Sequence, residues 1–264
     1  MSVTWLGECM NLEPWQVRCG DSMDLLDELP PASVDLVLTD PPYSSGGMMR
    51  GDRTIGTRTK YVRSDTAHTL SEFSGDNRDQ RSYVTWCDLW MRKAMRAAKP
   101  GAIIAVWTDW RQLPATTDAI QVAGWVWRGV YVWGKRAPRP IPNRPQSACE
   151  FVVWGTNGAR DVTQGPASEY VPGWVEASSV PGAERRHMTE KPVDVLRPLA
   201  RLAPVGGVIL DPFTGSGSTG VAALAERRKF IGFELSAENV AIASARLEGR
   251  PFTDTTENTQ GLLL

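Results

Sequence analysis

The chain has 264 residues, with 29 Lys and Arg against 30 Asp and Glu, for a formal net charge of −1. That length suits one large α/β domain or two small ones, and no apolar run is long enough to span a membrane. Four widely spaced cysteines (Cys9, Cys19, Cys87, Cys149), no Cys-x-x-Cys pair and two histidines argue against a zinc site or a disulfide framework. No metal is therefore expected. Glu8 and Glu13, with no basic run beside them, do not read as a secretory signal, so a reducing cytoplasm is the expected location.

Residues 1–15 show no period. Gln16 to Asp21 reads as a short strand, followed by a helix from Met23 to Leu29 that Ser22 would cap and Pro30-Pro31 would stop. The run Ser33-Val34-Asp35-Leu36-Val37-Leu38 predicts a buried strand, so strand, helix and strand form a βαβ unit. Thr39-Asp40-Pro41-Pro42-Tyr43 comes next. Two prolines forbid ladder or helix, so a stiff turn is predicted at the strand's carboxyl end, where open α/β sheets place ligands. A carboxylate, carbonyls and an aromatic ring on one turn suit a planar amine: Asp40 and the Pro41 carbonyl accept from an –NH2 group while Tyr43 stacks on the ring that bears it.

Residues 44–82 read as a long loop, whose stretch 50–65 sets Arg50, Arg53, Arg58, Lys60 and Arg63 against Asp52 and Asp65. Gly, Ser and Thr interleaved with Arg suit a phosphate backbone, and a solvated loop is the plain alternative. Tyr83 to Ala98 predicts an amphipathic helix with Tyr83, Trp86, Trp90, Ala94 and Ala97 facing a core. A buried strand (Ala102 to Trp107), a helix (Arg111 to Val122) and paired antiparallel strands (Trp125 to Trp133, Phe151 to Trp154) follow. Between the paired strands runs a proline-stiffened segment holding Lys135, Arg136, Arg139 and Arg144, with no acid before Glu150. It reads as a semi-rigid basic finger suited to nucleic acid. Residues 155–186 are polar and poorly periodic.

His187-Met188-Thr189-Glu190-Lys191-Pro192 opens a helix from Val193 to Leu202, with Thr189 as cap and Pro192 in the first turn. Val208-Ile209-Leu210 is a strand, Asp211-Pro212-Phe213-Thr214-Gly215-Ser216-Gly217-Ser218-Thr219-Gly220 a glycine-rich turn, and Val221 to Arg228 a helix. Lys229 to Glu234 is a strand ending in an acid, Ala237 to Leu247 a last helix, and residues 250–264 a tail. Gly215-x-Gly217-x-x-Gly220 matches the dinucleotide fingerprint, with Glu234 spaced to hold ribose hydroxyls, while no Gly-Lys-Ser/Thr follows, which excludes a P-loop. Asp211 at the strand end suits a cationic ligand better than a pyrophosphate. S-adenosylmethionine has a sulfonium, an amino group and a ribose, and no phosphate.

The order Asp-Pro-Pro-Tyr, then Thr-Glu-Lys-Pro, then Asp-Pro-Phe-x-Gly-Ser-Gly-x-Thr resembles the DNA amino-methyltransferases of the β arrangement over about residues 16–248. The resemblance implies one methyltransferase domain over 1–264, with a basic insertion at about 44–82 and DNA-recognition segments at about 134–186. Its fold would be α/β: a doubly wound, mostly parallel, seven-stranded Rossmann-like sheet with an antiparallel hairpin at one edge. It implies that S-adenosylmethionine is bound by Asp211, Phe213, Gly215, Ser216, Gly217 and Glu234, with Asp21 and Asp40 alongside and Thr189 and Lys191 at its methionine end. Asp40, Pro41, Pro42 and Tyr43 would hold the target base. The partner would be double-stranded DNA, with no membrane, contacted through the two basic loops, and members of the family often form homodimers. Asp at the first motif position tilts the expected target to adenine N6, with cytosine N4 the alternative. A non-catalytic DNA-binding module and an NAD dehydrogenase are the readings from other classes, and the latter leaves Asp40 to Tyr43 unexplained.

Overall fold

The computed structural model describes residues 13–43, 80–138, 140, 142–143, 145–160, 170–179 and 191–249. Eight strands form one sheet in the order β1-β8-β7-β2-β3-β5-β4-β6. These are β1 (Trp15–Cys19), β2 (Val34–Thr39), β3 (Ala98–Thr108), β4 (Val126–Lys135), β5 (Cys149–Thr156), β6 (Trp174–Ala177), β7 (Val208–Asp211) and β8 (Lys229–Glu234). The helices are α1 (Ser22–Glu28), α2 (Gln80–Ala97), α3 (Leu113–Val122), α4 (Val193–Ala200), α5 (Ser218–Ala225) and α6 (Ala237–Leu247). From β1 to β3 every neighbouring pair is parallel, β3, β5 and β4 pair antiparallel, and β6 joins β4 in parallel.

The central strands are continuous apolar runs because both of their faces are covered. In β2, Val37 faces one core while Leu36 and Leu38 face the other. The first core takes α1, α2 and α3, with Trp90 and Met91 fully buried, and the second takes α4 and α5. Burying a side chain of this size contributes about 1.5–3 kcal/mol. Asp35, the one acid in β2, lies at the far end of the sheet from the cleft described below. It accepts from Lys99 Nζ and from the Val208 backbone N, both at 2.8 Å, and so ties β2 to its two neighbours.

Chain direction across the sheet reverses between β2 and β7. The connection through α2 leads from β2 to β3 on one side, and that through α5 leads from β7 to β8 on the other. The carboxyl ends of β2 and β7 therefore flank the crevice where doubly wound sheets bind ligands.

Three local expectations change. Asp21, not Ser22, caps α1: its side chain accepts from Met23 N at 2.8 Å, and the Ser22 hydroxyl instead donates to the Pro212 carbonyl. Pro192 is itself the cap of α4, extended at φ −61° and ψ 132°, so the helix begins one residue later than a proline in the first turn requires. The stretch 155–186, expected to be irregular, contains β6, which makes eight strands instead of seven and places the antiparallel pair inside the edge. Four residues carry too little pattern to reveal a strand, and main-chain pairing supplies the specificity. Val132 N donates to Gly173 O at 3.0 Å, and the Trp133 indole to Ala177 O at 3.1 Å. Among the described residues no helix is long and apolar enough to cross a membrane.

Candidate active site

The floor of the crevice is the glycine-rich loop after β7. Gly215 and Gly217 have φ of 52° and 84°, a left-handed backbone that favours glycine. Gly217 is the cap of α5, and a Cβ there would meet Ala243 Cβ at 3.0 Å. A Cβ on Gly215 would meet nothing within 4 Å, so this residue leaves open space on the cleft side. Gly232 in β8 has the opposite role: a Cβ there would come within 2.2 Å of Thr214 Oγ1, so the strand must be bare for the loop to lie on it. Arg246 holds the loop from behind, donating to Ser216 O at 2.7 Å and to the Ser216 and Ser218 hydroxyls at 3.0 and 3.2 Å.

Two acids frame this loop. Asp211, 1% exposed, accepts from Thr39 Oγ1 at 2.6 Å and from Phe213 N at 3.1 Å, which joins the ends of β2 and β7. Burial pushes its carboxyl up to about 6 against the pull of those donors and of Thr219, and the neighbouring Asp40 adds to the rise. Glu234 accepts from Gly215 N and Ser236 N, both at 2.9 Å, so it stitches the loop to the start of α6. Asp21 lies at the end of β1, whose Cys19 pairs with Glu234 in the sheet. Phe213 packs on the rings of Trp86 and Trp90 at 5.2 and 5.3 Å, which explains why α2 carries those aromatics.

The opposite wall is the turn after β2. Asp40 Oδ2 accepts from Lys191 Nζ at 2.5 Å, and Lys191, 6% exposed, also lies 3.5 Å from Glu150 Oε2. The ammonium sits over the rings of Tyr43 and Trp107, at 5.6 and 5.5 Å. Burial depresses the Lys191 pKa, but Asp40 and Glu150 more than reverse this, so the group stays charged above the ordinary lysine range. Burial likewise raises the Glu150 carboxyl, while Lys191 and Lys135 carry it below its ordinary value. Lys135 Nζ closes the row 2.6 Å from Glu150 Oε1, over the Trp133 ring at 5.4 Å.

Asp40, Lys191, Asp211, Phe213, Gly215 and Ser216 line one cleft together with Thr214, Ser218 and Thr219. Among the described residues that line it, the cation is Lys191, which pairs with two carboxylates, so these residues favour a cationic ligand over a pyrophosphate. Acceptors at Asp211 and Glu234 and the open space beside Gly215 fit S-adenosylmethionine. Asp40 lines the same cleft, and the Tyr43 ring lies near Lys191.

Of the expected site residues, Thr189, Arg50, Arg53, Arg58, Lys60, Arg63, Arg139 and Arg144 lie outside the described residues. Arg136 is exposed at the end of β4, whereas Lys135 turns inward to Glu150. Glu150, Trp107, Thr39 and Arg246 were not singled out by sequence. Glu150 left one trace, as the first acid after four basic residues at the mouth of a buried strand.

An open, doubly wound sheet with a glycine-rich loop and an acidic turn meeting at its reversal point defines a methyltransferase-type α/β fold. A family model described as DNA methylase, for the N6/N4 group, matches residues 34–245. The chain belongs to the N6/N4 DNA methylase family. It is 30% identical over 218 residues to the protein YubD of Escherichia coli (strain K12), covering 82% of each chain. It is 25% identical over 260 residues to the Type II methyltransferase M2.DpnII of Streptococcus pneumoniae, covering 89% of this chain and 90% of that one. The fold is similar to that of M1.HpyAVI crystallised with SAM (TM-score 0.65, 20% identity, 88% of this chain and 98% of that one). It is also similar to the cytosine-N4-specific PvuII DNA methyltransferase (TM-score 0.64, 22% identity, 92% and 87%).

Proposed function

We propose that this DNA methyltransferase moves a methyl group from S-adenosylmethionine to the exocyclic N6 of adenine in duplex DNA, with the base flipped out of the helix. The observation that carries this reading is that Asp40, on the Pro-Pro-Tyr turn after β2, lines the same cleft as Asp211 and the glycine-rich loop after β7. Asp211, Phe213, Gly215, Ser216, Gly217 and Glu234 would hold the cofactor, with Asp21 at its outer end and Thr189 and Lys191 toward its methionine end. When bound, S-adenosylmethionine supplies an electrophilic methyl group.

The amine of adenine is a weak nucleophile because its lone pair is delocalised into the ring. Asp40 and the Pro41 carbonyl each accept a hydrogen bond from one of its N–H groups, which favours a pyramidal nitrogen and stabilises the positive charge that develops there, and the methylated nitrogen then releases one proton to solvent. Tyr43 stacks on the flipped base, a contact worth about 1–3 kcal/mol, which offsets part of the few kcal/mol of unstacking. Lys191 donates to Asp40 and fixes its carboxylate in place. Prepaid positioning of this kind supplies much of the rate. Arg136 and the basic residues at 44–82 and 139–144 would hold the phosphate backbone.

Mass spectrometry of nucleosides from unmethylated duplex DNA incubated with the protein and S-adenosylmethionine tests the reading. N6-methyladenine is the expected product. The same acceptor pair also suits N4 of cytosine, and N4-methylcytosine would replace the target base while keeping the chemistry. Asp40→Ala is expected to abolish turnover and leave S-adenosylmethionine affinity, measured by calorimetry, close to wild type. Retained turnover would overturn the role of Asp40.

A further inference from the structure

We propose that Glu150, on β5, is a positioning residue for transfer to the target amine: it shares the Lys191 ammonium with Asp40 and so keeps Asp40 an effective acceptor. The inference rests on the methyl-transfer reading above.

Lys191 and Glu150 hold their charges in a space shielded from water. An ammonium held by one carboxylate forms a tight pair that neutralises that carboxylate and blunts it as a hydrogen-bond acceptor. Lys191 instead stands between two, 2.5 Å from Asp40 Oδ2 and 3.5 Å from Glu150 Oε2. The group formed by Asp40, Lys191 and Glu150 retains one negative charge, and Lys135 on the far oxygen of Glu150 keeps that glutamate ionised. The row crosses four strands in sheet order, from Asp40 after β2, past Trp107 of β3, to Glu150 of β5 and Lys135 of β4. Its rings alternate with its charges. Tyr43 and Trp107 flank Lys191, Trp107 meets Trp133 edge to face at 6.1 Å, and Lys135 lies over Trp133. These rings pack around Lys191, which donates to Asp40 and keeps Glu150 within ion-pair distance.

Asp211 of β7 and Tyr83 of α2 also interact electrostatically with Asp40. Among the described residues, Lys191 pairs with both Asp40 and Glu150 and so couples a change at Glu150 to Asp40.

Two measurements test the proposal. In the protein labelled with 15N-lysine, Glu150→Gln is expected to lower the pH at which the Lys191 Nζ signal titrates, while an unchanged titration overturns the coupling whether or not the protein methylates DNA. In steady-state kinetics, Glu150→Gln is expected to lower kcat about 10- to 100-fold, as displacement of a positioned group does, with the KM for S-adenosylmethionine unchanged. The acid limb of the kcat profile is expected to move to lower pH, because the cluster loses an anion. Lys135→Gln, at a partly exposed site, is expected to move the same limb to higher pH with a smaller loss of kcat. Glu150→Asp restores the limb toward its wild-type position. Shifts of opposite sign require charge coupling, whereas lost packing gives no such pair. An unchanged kcat in Glu150→Gln, or an acid limb fixed in both variants, overturns the positioning role. A wild-type protein that yields no methylated base removes the transfer reading and that role together, and the lysine titration still decides the coupling by itself.

Discussion

Asp211 shows how a single carboxyl can be both a structural tie and a cost. Its ordinary pKa of 3.8 rises to about 6 in the folded protein, so between these values the native state binds more protons than the unfolded chain. Its contribution to stability is fully present below about pH 4 and is lost as pH rises through 6, a swing of about 3 kcal/mol. Asp211→Asn keeps the oxygen that accepts from Thr39 and Phe213 but cannot titrate. Urea-unfolding midpoints measured from pH 4 to 7 are expected to fall with pH more steeply in wild type than in the variant. Equal slopes would show that burial does not shift this group. The cost is consistent with a site that retains an anion at neutral pH for a cationic ligand.

At the scale of elements, the glycine-rich loop works because two neighbours leave room for it and a third anchors it. Gly232 of β8 clears Thr214, Ala243 of α6 is small beneath Gly217, and Arg246 anchors the Ser216 carbonyl. Gly232→Ala places a Cβ where Thr214 Oγ1 now lies, and the loop must lift. Overpacking of this kind costs about 1–3 kcal/mol, to be read from urea unfolding. Calorimetry is expected to show S-adenosylmethionine affinity lowered about tenfold or more, the equivalent of 1.4 kcal/mol or above. Wild-type affinity in this variant would mean that the loop does not shape the cofactor site. The loop's own sequence announced its turn, but not the bare strand beneath it, because Gly232 reads as one more residue of an apolar run.

At the scale of the whole molecule, a net charge of −1 conceals an uneven distribution. The first forty residues hold eight acids and one arginine, while basic residues gather at 44–82 and 135–144. Binding to duplex DNA should therefore be local and dependent on salt. Arg136, exposed where β4 ends beside β6, is expected to contact phosphate. Arg136→Ala should weaken binding evenly across DNA sequences and reduce the slope of log K against log salt by about 1, measured by fluorescence anisotropy at several salt concentrations. An unchanged slope would place the phosphate contacts elsewhere.

The sequence by itself determined the parallel core of the sheet, its antiparallel pair, the two motif turns at strand ends and the family they resemble. Each of these rests on a local signal: uninterrupted apolar runs for strands buried on both faces, two prolines for a stiff turn, and glycines where the backbone turns left-handed. Only the tertiary structure decided that Asp40 and Asp211, 171 positions apart, share one cleft, that β6 covers the edge of the pair, and that Lys135 turns inward. Glu150 became legible only there as well. An acid at the mouth of a strand has no local meaning until folding brings two ammonium groups to it, because ion pairing depends on distance in space and not on distance along the chain.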